Sequence, residues 1–195
     1  MNWYSAKILL SFFVSILVPA YWRSYGPQNF LWFSDIGLFL TVLALWTNST
    51  LLMSMAAVGV LSLELIWCLD FFLLSVFGAS KIKLADYMFD STYSLPLRLL
   101  SLFHMVLPII WLFYLGEQGY DKRAIYYTIF LFWVILSLSY FFTDPEKNIN
   151  WVFFPKIRHT NISSGTWLII MFIGYPLLVF LPMHYVFLKL FNLVG

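Results

Sequence analysis

An all-α polytopic transmembrane helix bundle of about six spans is the fold this sequence predicts, and three observations predict it. Hydrophobic residues make up 62% of the 195 and charged residues only 10%, a balance that soluble domains do not reach. The mean hydropathy is +0.86. Apolar runs near the length of a membrane helix, about 20 residues, recur along the chain between short polar links. Six of them use up the chain, so residues 1–195 form a single transmembrane domain without a soluble one.

The first run, Ile8 to Trp22, follows a lone Lys7. No small-x-small cleavage site precedes the bulky Tyr21-Trp22 pair, so the run reads as a span closed by an aromatic interface anchor and not as a signal peptide. The second runs from Phe30 to Trp46 and the third from Leu51 to Phe77, long enough to tilt. Leu95 to Leu115, Ala124 to Thr143 and Thr166 to Phe191 complete the set. Short links favour antiparallel neighbours packed side by side. Trp3, Trp46, Tyr126, Trp151 and Trp167 fall where spans meet the interface, as an aromatic belt requires.

An even number of spans puts both termini on one side. Arg23, Lys81, Lys83, Arg98, Lys147, Lys156 and Arg158 then lie on the opposite side, against Lys7, Lys122, Arg123 and Lys189. That bias predicts termini outside the cytoplasm, and the compact loops point to a bacterial inner membrane.

Several classes are excluded. A net charge of +2 is too small for nucleic-acid binding. Cys68 is the only cysteine, so there is no internal disulfide and no CxxC pair. His104, His159 and His184 sit in separate elements without metal-ligand spacing, and no glycine-rich phosphate loop is present. No metal and no cofactor are expected.

Ionisable residues inside the spans carry the functional signal. A charge at the centre of a membrane helix costs roughly 2.5–3.5 kcal/mol on an insertion scale, so such residues face a bundle interior, a partner or a site. Asp35 lies in the second span, and Glu64 and Asp70 in the third. In the fourth, Ser94, Arg98, Ser101 and His104 recur at spacings of four, three and three and form one polar stripe. Pro96 and Pro108 free backbone groups or kink the helix beside it. Glu64, Trp67 and Cys68 share a face, while Asp70 points roughly 120° away, so Arg98 is expected to pair with whichever acid faces it. The segment Asp144-Pro145-Glu146-Lys147-Asn148-Ile149-Asn150-Trp151, with Pro155 beyond it, reads as a turn that covers a pocket between helices.

Three patches resemble the androgen-induced membrane hydrolase family and the distantly related YwaF-type proteins: Gly26-Pro27-Gln28-Asn29-Phe30-Leu31-Trp32-Phe33-Ser34-Asp35, His104-Met105-Val106-Leu107-Pro108, and Trp151-Val152-Phe153-Phe154-Pro155. That family cleaves fatty-acid esters of hydroxy fatty acids with an intramembrane threonine and histidine, so the resemblance implies that His104 is a general base. Trp32 stands at the threonine position and the histidine-to-proline spacing is one residue shorter. A nucleophile would have to come from Ser34, Ser101, Cys68 or an aspartate. Over its length the chain also looks like small bacterial integral membrane proteins with the signature Thr-Asp-Pro-Glu-x-Asn-Ile-Asn-Trp-Val.

These readings predict a polar cavity near one leaflet that hydrolyses or transfers lipid acyl esters. The catalytic candidates are His104, Asp35, Ser34 and Ser101. The substrate-contacting candidates are Arg98, Glu64, Asp70, Trp32, Asn148, Asn150 and Trp151, with Arg98 or the two asparagines stabilising an oxyanion. The partners are membrane lipids. Two alternatives stand beside this: a non-catalytic membrane subunit or homo-oligomer whose buried charges are structural, and a carrier or proton relay.

Overall fold

The computed structural model describes residues 2–154 and 161–194. Among the described residues eight α-helices follow in order: α1 (Trp3–Tyr25), α2 (Phe33–Thr47), α3 (Thr50–Phe77), α4 (Leu95–Leu100), α5 (Phe103–Gln118), α6 (Ala124–Phe142), α7 (Ser164–Tyr175) and α8 (Leu181–Leu190). The pairs α4–α5 and α7–α8 each continue one another. Each of the six apolar runs is therefore helical, and the bundle is all-α apart from a two-residue parallel pairing of β1 (Tyr120–Asp121) with β2 (Leu193–Val194).

Five segments are long and apolar enough to cross a membrane: α1, α3, Leu95–Gln118, α6 and Ser164–Leu190. The sixth, α2, has 15 residues and measures about 22 Å at ~1.5 Å per residue. Its late start has a visible cause. Pro27–Leu31 forms a 3-10 helix, and Trp32 (φ −57, ψ 138) breaks the chain direction before Phe33. Tryptophan has no side-chain acceptor with which to cap a helix. Asn150, from the far end of the chain, supplies one: its Oδ1 accepts from Phe33 N at 3.0 Å, and its Nδ2 donates to Leu31 O at 2.7 Å and Ser139 Oγ at 3.1 Å.

Other ends follow ordinary chemistry. Asn2 and Ser49 cap α1 and α3 through their side chains, and Asn48 and Gly78 close α2 and α3 in the left-handed region. The fourth span is interrupted, because α4 stops at Leu100 and α5 resumes at Phe103. Across the break the bonds shorten to i→i−3, as in His104 N to Ser101 O at 3.2 Å. Pro108, inside α5, has no amide to offer the His104 carbonyl one turn earlier. Cys68 fills that vacancy, its thiol donating to His104 O at 3.5 Å.

The core is where α3 packs on α2, α5 and α6. Trp111 is fully buried and donates from Nε1 to Thr41 Oγ1 at 2.7 Å, and Thr41 in turn donates to Gly37 O at 2.7 Å. Gly59 lets α6 approach closely, since a Cβ there would meet the Phe132 ring at 2.6 Å. Phe132 stacks on Phe33 with centroids 4.3 Å apart, which ties that contact to the start of α2. The terminal segments share one end of the bundle: Trp3 Nε1 donates to Glu117 Oε2 at 2.7 Å, and Tyr120 pairs with Leu193.

Candidate functional site

Three ionisable groups converge at one depth. Asp35 precedes the end of α2 at Thr47 by 12 residues, Glu64 follows the start of α3 at Thr50 by 14, and His104 precedes the end of α5 at Gln118 by 14. At ~1.5 Å per residue each lies about 18–21 Å from the helix ends near the termini, inside a hydrocarbon layer of about 30 Å. Asp35, Glu64 and His104 are all buried.

They face a cavity of about 1110 Å³ between the helices, at the end opposite the termini. Ser34, Trp32 and Asn29 line it from the α2 entrance, Tyr21 from α1, Trp67 and Leu63 from α3, and Ser94 and Ser101 from the interrupted fourth span. Its outer rim is made by loop residues including Tyr87, Tyr93, Lys147 and Trp151.

Within the cavity, His104 Nδ1 and Glu64 Oε2 share a hydrogen bond of 2.5 Å. In the tautomer that carries its proton on Nδ1, the Glu64 carboxylate accepts it and Nε2 is the ring nitrogen left to act as acceptor. Nε2 has no hydrogen-bond partner among the described residues. The imidazole is fixed in plane by Trp67 on one side (4.5 Å, 19°) and its neighbour Phe103 (4.3 Å, 21°). Asn29 Nδ2 donates to Asp35 Oδ2 at 3.3 Å, and Asp35 lies within Coulombic reach of Glu64. Asp35 Oδ1 and Glu64 Oε1 are buried without a partner among the described residues. Tyr21 and Ser101 share a hydrogen bond of 2.9 Å.

The structure thus brings together His104, Asp35, Ser34, Ser101, Glu64 and Trp32 from the set the sequence predicts, with Asn148, Asn150 and Trp151 on the same wall. Two members leave it. Arg98 meets neither Glu64 nor Asp70: its Nη1 donates to Met88 O at 2.9 Å, bracing the loop over the cavity. The fourth span is interrupted at Ser101-Leu102, between Arg98 and His104, and of the four stripe residues Ser94, Ser101 and His104 line the cavity while Arg98 does not. Asp70 sits at the far end of α3, where its Oδ2 accepts from Leu84 N (2.6 Å) and Ala85 N (2.7 Å) and anchors the same loop. Neither residue lines the cavity.

The asparagines also differ from the expected oxyanion donors. Asn150 spends both ends of its amide on Phe33, Leu31 and Ser139, and Asn148 Oδ1 accepts from Phe153 N at 2.7 Å. Both are turn locks, and Asn148 and Asn150 adopt positive φ of 44° and 50° that asparagine tolerates. Residues 146–151 of the segment line the cavity; Pro155 and His159 lie outside the described residues.

Tyr21, Asn29 and Tyr87 join the site although none is among the candidates the sequence offers, Asn29 lying in the same patch as Asp35. Tyr21 reads as an interface anchor in the sequence, yet it is buried with its hydroxyl turned to Ser101. Burial pushes the Tyr87 hydroxyl above its ordinary range, so it remains a neutral donor at the rim. No group of three or more His, Cys, Asp or Glu side chains that could hold a metal ion occurs among the described residues. Comparison with family models, with curated proteins and with solved structures gives no match.

Proposed function

We propose that the protein, an integral membrane helix bundle, hydrolyses or transfers lipid acyl esters with His104 as general base. The observation that carries this reading is the His104–Glu64 pair, held at 2.5 Å inside a membrane-depth cavity with Nε2 unengaged among the described residues. His104 Nε2 takes the proton of a hydroxyl nucleophile as its oxygen attacks the ester carbonyl. The nucleophile is Ser34 or Ser101, both in the same cavity, or a water. Collapse of the tetrahedral intermediate breaks the acyl C–O bond, and the imidazolium returns the proton to the leaving alkoxide; where a serine is the nucleophile, a water or an acceptor hydroxyl then gives its proton to Nε2 and attacks the acyl-serine ester, and the serine oxygen leaves and takes that proton back. Glu64 orients the ring and stabilises the imidazolium. Asp35, held by Asn29, faces the polar end of the substrate. The basic-residue bias of the loops supports termini outside the cytoplasm of a bacterial inner membrane.

The test is fatty-acid release from a panel of phospholipid, acylglycerol and hydroxy-fatty-acid esters by purified protein in nanodiscs. Release by wild type that disappears in folded His104→Ala is the expected result. No release from any ester, or equal release by both proteins, overturns the reading.

One observation favours a second reading, a non-catalytic subunit: His104 is wedged between Phe103 and Trp67, so the pair also locks α3 to α5. On that reading Glu64→Gln lowers thermal stability and no ester is turned over.

A further inference from the structure

A second hollow, of about 500 Å³, adjoins the first, and Leu84, Trp151 and Tyr175 line both. The rest of its wall is apolar, with Ile170, Met171 and Leu178 from the last span and Ile82 from the loop. From Trp167 to Val179 the groove follows the helix for about 18 Å at ~1.5 Å per residue, starting near the first turn of α7. It therefore runs into the hydrocarbon layer and not across the aqueous face.

Two local features shape the groove. Gly174 lies on its floor, and a Cβ there would meet nothing within 4 Å. The next residue but one, Pro176, opens a π-turn over Pro176–Phe180 that widens the helix between α7 and α8. At the upper rim Trp167 Nε1 donates to Trp151 O at 2.9 Å, fixing the wall shared with the cavity.

We propose that this groove holds one acyl chain of a bilayer lipid, and that Trp151 and Tyr175 flank the passage by which the polar end of that lipid reaches the cavity of His104. The delivery of an ester to His104 rests on the function proposed above. The occupant must be apolar along the groove and polar where it meets Asp35, Glu64 and Asn29, which is the shape of a lipid and not of a uniformly apolar ligand. Continuity decides against a helix of a partner or of a second copy: a helix lying along the groove has no flexible polar end to pass between Trp151 and Tyr175 into the cavity, whereas a lipid has one.

The test uses full-length protein in phosphatidylcholine nanodiscs doped with a phosphatidylcholine that carries a diazirine on one acyl chain. After photolysis, cross-links mapped by mass spectrometry should concentrate on the 167–179 segment and around Trp151. Gly174→Trp should reduce that labelling severalfold by filling the groove, with Gly174→Leu as the smaller plug if the tryptophan variant is not monodisperse. Gly116→Trp, where a Cβ also meets nothing within 4 Å, should label as wild type does. Labelling spread evenly over the exposed faces, or unchanged in the plugged variant, overturns the inference. If labelling follows Gly174 while no ester is turned over, the catalytic reading fails and the chain site stands. If turnover depends on His104 but labelling ignores Gly174, the groove assignment alone fails.

Discussion

His104 and Glu64 stand on antiparallel helices, each 14 residues from the helix end nearer the termini, and meet there at 2.5 Å. Removing one member of a buried hydrogen-bonded pair leaves the other stranded, at a cost of about 1–3 kcal/mol for a neutral group and more for a charged one. Few positions in an apolar bundle tolerate that exposure to substitution, and this one opens onto a cavity instead of being sealed in the core.

Asn150 should behave as a structural residue. Its amide serves Phe33 N, Leu31 O and Ser139 Oγ, so Asn150→Leu strands up to three buried polar groups at about 1–3 kcal/mol each before relaxation. We expect a large drop in thermal midpoint in detergent, and lost activity only in proportion to lost folded protein. A stable Asn150→Leu with abolished turnover would instead give it a place in the chemistry.

Gly59 sets the α3–α6 distance. Alanine there gains about 0.5–1 kcal/mol of helix propensity but drives a methyl into the Phe132 ring at 2.6 Å, and overpacking costs about 1–3 kcal/mol. The ring cannot easily retreat, because it stacks on Phe33 at 4.3 Å and abuts Phe180 at 4.7 Å. Overpacking wins, so Gly59→Ala should lower the melting midpoint; a rise would show that α6 can shift freely.

Asp121 gives the terminal end a pH dependence. The Arg123 guanidinium, through bonds of 3.0 and 2.7 Å, holds the Asp121 carboxyl below the usual carboxylate range against an opposing desolvation effect. A depressed folded-state pKa stabilises the fold above the unfolded value near 4 and loses that stabilisation as pH falls through the folded value. Wild type should therefore melt above Asp121→Asn at about pH 7, with the gap closing below about pH 4. A gap that widens on acidification would contradict the sign.

The helices were legible because membrane spans announce themselves by length, and each apolar run became a helix. Glu64 and His104 were legible as polar positions on two faces, since periodicity places residues on a helix even when it says nothing of the neighbour. What it could not show was contact across the bundle. Arg98 looked like the natural cation for a third-span acid, but its guanidinium donates to the Met88 carbonyl, a loop partner that the spacing of the stripe does not encode. Asn150 caps α2 across 117 residues of sequence, a link that no local pattern encodes. Cys68 answers the carbonyl left by Pro108, and that became visible only once α3 and α5 were side by side.

The most direct measurement is kcat/KM for release of fatty acid from a single lipid ester by wild type, His104→Ala and Glu64→Gln in nanodiscs, each shown to be folded. General-base catalysis by a carboxylate-held histidine predicts losses of about 10²–10⁴-fold in His104→Ala and a smaller but clear loss in Glu64→Gln, at unchanged KM. Turnover that survives both substitutions at the wild-type rate would contradict it.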